Sequence, residues 1–278
     1  MPHDTDAIRG ELSRLATLPD EDIDLAEAAL ALAALERPGR PRDGYRRFLD
    51  TLAAEVAGQA GAGGAIEDRI AALNGIIADR HRFAGDSSDY EEPDNANLMR
   101  VIDRRRGLPV TLGILYLKIG RACGWGMHGL GFPLHFLIRL DGPAGERAIL
   151  DPFHGGARLG AAELRGLLKA ITGNGAELEP GHYAPVGNRD ILLRLQNNVK
   201  FRQLRSAQLA EALRTVEGML LFAPDQAALW REAGMMHLRL GDKANAIAAL
   251  EQFLARTANA QARHRIGVLL QELRGRCN

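Results

Sequence analysis

The 278-residue chain has only two cysteines, 5% aromatic residues and no excess of either charge, with 35 Lys+Arg set against 35 Asp+Glu. Each scarcity excludes something. Cys123 and Cys277 cannot build a disulfide framework, and their spacing matches no zinc ribbon or finger. A reducing cytoplasm is the expected location. Zero net charge disfavours a protein that coats nucleic acid or an anionic membrane through its overall field. The apolar stretches are interrupted by Arg, Asp or Gly well short of the roughly 20 residues that a membrane span needs. The N-terminus, Met1-Pro2-His3-Asp4-Thr5-Asp6, lacks the basic start and apolar run of a signal peptide.

What is present is an uneven distribution. Residues 1–187 carry 21 basic and 27 acidic side chains, residues 188–278 carry 14 and 8, so the sections stand at −6 and +6. The Gly/Pro-rich stretch from Gly173 to Gly187 separates them and reads as a loop. Opposite charge suggests that the two sections dock.

The first section opens with helical periodicity at Leu25, Ala28, Ala29, Leu32 and Leu35, then at Tyr45, Phe48, Leu49, Leu52 and Val56, then at Ile66, Ile70, Leu73 and Ile77. Five acids and a proline in the nine residues Asp86–Asp94 read as a solvated loop. A helix follows, capped by Asn95 or Asn97 and stopped after Arg104-Arg105-Arg106 by Gly107. Pro109 suits the first position of the next helix, which ends at Cys123-Gly124. The period then changes: residues 134–140 and 147–151, joined by a Gly/Pro turn, predict an antiparallel hairpin.

That hairpin puts His135 at the start of one strand and Asp151 at the end of its partner, so the two can face each other. Thiol-dependent acyl transfer needs a nucleophile at a helix N-terminus, an imidazole within hydrogen-bond reach and a carboxylate to orient the ring. Two of those three groups are placed by this pattern. His128, His135 and His154 lack the short spacing of zinc sites, and no metal or cofactor is expected.

The segment Tyr90-Glu-Glu-Pro-Asp-Asn-Ala-Asn-Leu through Arg106-Gly-Leu-Pro-Val-Thr-Leu, with Gly131-Phe-Pro-Leu-His-Phe and Asp151-Pro-Phe-His-Gly-Gly, resembles the SirB-type family. These bacterial proteins join a transglutaminase-like region to tetratricopeptide repeats. The resemblance implies a papain-like α+β core in which His135 and Asp151 hold the enzyme positions. It also places the nucleophilic cysteine of that enzyme class at or beside Pro109, Val110 or Thr111, none of which is cysteine. Thr111 is the one nucleophile-capable side chain there. Family members often read Pro-Gly-His-Phe where this chain has Pro133-Leu134-His135-Phe136. Cys123 lies twelve residues beyond Thr111, roughly 18 Å along the helix, and reads as structural.

Trp230, Gly234, Gly241, Ala246 and Leu250 fall at tetratricopeptide positions, with a degenerate copy 34 residues earlier. Arg194, Arg202 and Arg205 lie at roughly helical spacing before the repeats. With Trp230 they are the candidate binding residues. Nucleic acid is disfavoured, because Phe201 is the one aromatic among these cations.

These readings give a mostly helical α+β fold with a small antiparallel sheet, followed by an all-α repeat module. The boundaries are 1–187, comprising a helical region 1–85 and a core 86–160, and 188–278. The expected role is an interaction or regulatory protein with a degenerate transglutaminase-like domain. Its partner would be a protein or peptide bound through the repeats or the cleft, with oligomeric state left open. The alternative is a hydrolase or acyltransferase working through His135 and Asp151 with a nucleophile such as Thr111.

Overall fold

The computed structural model describes residues 2–61 and 64–275, so Cys277 lies outside it. Its helices are α1 (Pro2–Leu15), α2 (Leu25–Glu36), α3 (Asp43–Ala60), α4 (Ile66–Asn74), α5 (Leu98–Arg104) and α6 (Pro109–Ala122). They continue as α7 (Ala161–Thr172), α8 (Asn188–Arg205), α9 (Leu209–Phe222), α10 (Ala227–Arg239), α11 (Lys243–Arg256) and α12 (Ala260–Gly275). Contacts divide the chain into one unit of Pro19–Leu195 and a second made of Pro2–Leu18 and the chain from Gln196. The division falls within α8 and puts α1 with the repeats.

In the first unit, α2 is apolar on every side and correspondingly buried along most of its length. Asp24 starts it by accepting from the backbone N–H groups of Ala26 and Glu27, both at 3.1 Å. A π-helical turn, Gly75–Arg80, follows α4 where the periodicity of Ile66 to Ile77 predicts one uninterrupted helix. Two short strands, β1 (Ala84–Gly85) and β2 (Arg106–Gly107), pair in parallel. The stop after α5 is therefore not Gly107. It is Arg105, at φ +61°, whose guanidinium stacks on Phe48 and Phe83 at 4.3 and 4.6 Å. Those distant rings offset the cost of a left-handed arginine.

The main sheet contains β3 (Met127–Leu130), β4 (Ile138–Asp141), β5 (Arg147–Asp151), β6 (Ala157–Leu159) and β7 (Pro185–Val186), in the order β6-β5-β4-β3-β7 and antiparallel throughout. The expected hairpin is β4–β5, with Ile138 opposite Leu150. Strand residues alternate between faces. On one face Leu130, Phe132 and Leu137 pack with Leu164 and Leu168 of α7. On the other lies α6, brought close by two glycines: a Cβ on Gly113 would fall 2.3 Å from the Phe136 ring, and one on Gly120 would fall 1.9 Å from Met127 Sδ. Helix, sheet and helix thus form three layers, with Phe136 against Gly113 and Gly156 beside Tyr116 of α6.

In the second unit α10 and α11 pack as a close antiparallel pair. Gly234 allows this, since a Cβ there would sit 2.7 Å from Leu250, and Gly241 turns the chain at φ +80°. α1 packs on α9 through a face that includes buried Ile8 and Leu12.

Candidate functional site

At the start of α6, Pro109 takes the first helical position after the extended Leu108. Thr111, two residues on, is wholly buried. Its hydroxyl donates to the Asn95 carbonyl at 2.9 Å, and that same oxygen accepts the Leu108 N–H at 3.0 Å. The hydroxyl proton is thus directed to a backbone oxygen that fixes the incoming loop.

Asn95 is itself anchored. Its amide donates to Asp86 Oδ2 at 3.2 Å and to the Asp89 carbonyl at 2.8 Å, and its Oδ1 accepts from Arg104 at 3.3 Å. The acidic segment is consequently not the uniformly solvated loop its composition predicts, because Asp86 is buried and ion-paired with Arg104. The Ser88 hydroxyl is the strongest influence on Asp86. With the other bonds it outweighs burial and holds the carboxyl below its ordinary range. Asp94 pairs with Arg100 of α5 at 2.9 Å, and Asn97, not Asn95, caps that helix.

His135 lies in the connection from β3 to β4, not on a strand, since β4 begins at Ile138. Leu134 before it has φ +55° and is 76% exposed. That is a left-handed residue at the position where Leu departs from the Gly of the resembling family. Arg194 clamps the connection, donating to the carbonyls of Phe132 and His135 at 2.9 and 2.6 Å while lying 5.4 Å over the Phe136 ring. Its guanidinium therefore braces the histidine loop, and burial lowers its pKa.

His135 Nε2 is 3.0 Å from Asp151 Oδ2. Asp151 ends β5, where Leu150 is already opposite Ile138, so the pair closes the hairpin just beyond its paired residues. A third group joins them: His154 Nδ1 is 2.7 Å from the same oxygen, while Oδ1 accepts the Phe153 N–H at 3.0 Å. An ionised carboxylate only accepts, so both ring nitrogens facing it carry protons and neutral His135 keeps its lone pair on Nδ1. Burial pushes the Asp151 carboxyl up. The hydrogen bonds and charges of His135 and His154 outweigh that and leave it below its ordinary value. Phe153 lies edge-on to His135 at 6.2 Å and is pressed against Gly85, where a Cβ would be 2.4 Å from the ring. Tyr90 also makes an edge contact with Phe153, at 5.9 Å between ring centres.

A histidine and a carboxylate on a sheet packed against α6 invite comparison with known proteins. Residues 43–197 match the transglutaminase-like superfamily and residues 199–271 the tetratricopeptide repeat. A UPF0162 protein of Xylella fastidiosa (strain Temecula1) is 28% identical over 248 residues, 87% of each chain. One of Pseudomonas aeruginosa is 30% identical over 221 residues, 77% of each chain. One of Vibrio cholerae is 34% identical over 181 residues, 65% of this chain and 66% of its own. The chain belongs to the transglutaminase-like superfamily and the UPF0162 family.

In this UPF0162 chain the described cysteine, Cys123, follows the last residue of α6, at the far end from Thr111. Its thiol approaches the Ala53 carbonyl at 3.5 Å, and burial raises its pKa, the reverse of what a reactive thiol needs. His128 turns to Asp141 at 3.1 Å, away from His135 and His154. The grouping of His135, Asp151 and His154 is not evident from the sequence pattern, although His154 stands three residues after Asp151 in an Asp-Pro turn that bends the chain back.

The repeat unit holds the remaining candidates. Trp230 donates to the Pro224 carbonyl at 2.7 Å and lies under Arg256 at 5.2 Å. Arg202 is buried and bonds Asn198 one turn earlier, while Arg205 is exposed at the end of α8. A different set lines a groove of about 550 Å3 in this unit: exposed Phe201, Leu204 and Met235 with Ile266, and the guanidiniums of Arg231, Arg239 and Arg265. Lys200, also in the wall, is tied to Glu232 at 2.6 Å. Arg231, Met235 and Arg239 recur every four residues on α10, a stripe visible in the sequence but overshadowed there by Trp230. Among the described residues no helix is long and apolar enough to cross a membrane.

Proposed function

We propose that this protein is an interaction or regulatory protein whose repeat unit receives an acidic, partly apolar peptide. In this reading its transglutaminase-like domain does not perform cysteine-dependent acyl transfer. The observation that carries this is the groove: three exposed arginines with no acidic partner among the described residues line it together with apolar side chains, and its acidic lining residue, Glu232, is paired with Lys200. Exposed Phe, Leu and Met side chains have little to gain from water, and unpaired guanidiniums suit carboxylates. An amphipathic segment with Asp or Glu on one face and Leu or Phe on the other meets both demands.

Fluorescence anisotropy with the intact chain tests this. A labelled acidic amphipathic peptide should bind, weaken as salt rises, and outcompete a version with Lys at each acidic position. Equal binding of both peptides would count against the proposal.

A second reading rests on the 3.0 Å contact of His135 and Asp151, which would suit a general base in a hydrolase or acyltransferase. Thr111 gives it little support, because its hydroxyl is buried and donated to a carbonyl. Turnover of ester or glutaminyl-amide probes that disappears in His135→Ala would favour this reading.

A further inference from the structure

We propose that His135, Asp151 and His154 bind a single zinc ion. Their ligand atoms, Nε2, Oδ2 and Nδ1, lie within 4.8 Å of one another, and the two nitrogens are 3.0 and 2.7 Å from the oxygen between them. Zinc bonds of about 2.0–2.2 Å in a tetrahedral site put neighbouring donors roughly 3.3 Å apart, so each nitrogen has to move about half an ångström from the shared oxygen, while the two nitrogens, within 4.8 Å of each other, settle to the same spacing. His154 has that freedom, its side chain being 63% exposed, whereas Asp151 and His135 are 3% and 11% exposed and held in place.

The donor set favours a transition-metal ion, and zinc is the one proposed. Two imidazoles and one carboxylate suit zinc, whereas calcium and magnesium take oxygen ligands. Three protein donors also leave a fourth position, which the exposed His154 side makes accessible to water. Supporting contacts that orient metal ligands are present too. The Phe153 N–H holds Asp151 Oδ1, and Arg194 holds the carbonyl of His135. On zinc binding the proton that each neutral ring now directs at Asp151 Oδ2 would shift to its other ring nitrogen, freeing the facing lone pair for the ion, and the ion would cross-link the β3–β4 connection to the turn after β5.

This site is independent of the peptide groove and is tested without any activity. Intact, untagged protein stripped with a chelator is titrated calorimetrically with zinc chloride, and thermal unfolding is followed in parallel. The expected result is one zinc per chain with micromolar or tighter affinity and a melting temperature raised on the order of 5 °C at saturation. His154→Ala should weaken binding at least tenfold; that side chain is exposed, so the variant is expected to fold. His264→Ala, an exposed histidine of α12, should leave binding unchanged. No saturable uptake, or undiminished uptake by His154→Ala, would overturn the assignment.

Discussion

The core around α6 and the main sheet, and the groove of the repeat unit, treat their polar groups in opposite ways. Around Thr111, Asn95, Asp86 and Asp151, polar side chains are tied to protein partners at 2.7–3.3 Å, and all four residues are buried. Along α10 and α12, Arg231, Arg239 and Arg265 stand exposed beside bare apolar side chains. A buried polar group left unpaired costs free energy, so pairing these four groups internally stabilises the first region. Solvated cations carry no such cost, so the second can keep its charges open for a ligand.

Substitutions sharpen this contrast in order of their expected effect on stability. Phe136→Ala should be the most damaging, by about 3–5 kcal/mol in denaturant unfolding, since the fully buried ring fills the space against Gly113 and under Arg194. Next comes Arg194→Ala. It leaves the carbonyls of Phe132 and His135 without their charged donor and should cost about 3 kcal/mol, with the His135 ring resonances broadened in NMR spectra.

Asp151→Asn has a smaller effect at neutral pH and a distinctive pH signature. The folded carboxyl titrates below the ordinary value of 3.8, so its stabilisation is complete above that range and fades as pH falls through the folded pKa. The asparagine variant should therefore lose stability near neutrality and show a flatter acid limb than the wild type. Parallel acid limbs would mean that the carboxylate contributes little. Smallest is the double change Arg231→Glu with Arg239→Glu, expected to shift stability by no more than about 0.5 kcal/mol because both sites are exposed.

Local chemistry makes some of this legible in the sequence. Pro109 marks the start of α6, the Gly142–Gly145 turn marks the β4–β5 hairpin, and the repeat spacing marks α10–α11. The nearness of His135 to Asp151 follows from that hairpin, although His135 precedes the strand. What escapes depends on residues far apart in the chain. Arg105 adopts a left-handed backbone because Phe48 and Phe83 receive its guanidinium, and Asp86 is buried because Asn95 and Arg104 close over it. Helical spacing puts Arg194 on a basic face, yet it braces the histidine loop. Strands of two to four residues such as β3 and β7 are too short to show a period.

Peptide binding by three forms of the intact protein tests the contrast most directly. An acidic amphipathic peptide is titrated into wild type, the Arg231→Glu/Arg239→Glu variant and His135→Ala. At least a tenfold loss of affinity is expected in the arginine variant, and wild-type affinity in His135→Ala. Wild-type affinity in the arginine variant, or loss confined to His135→Ala, would contradict it.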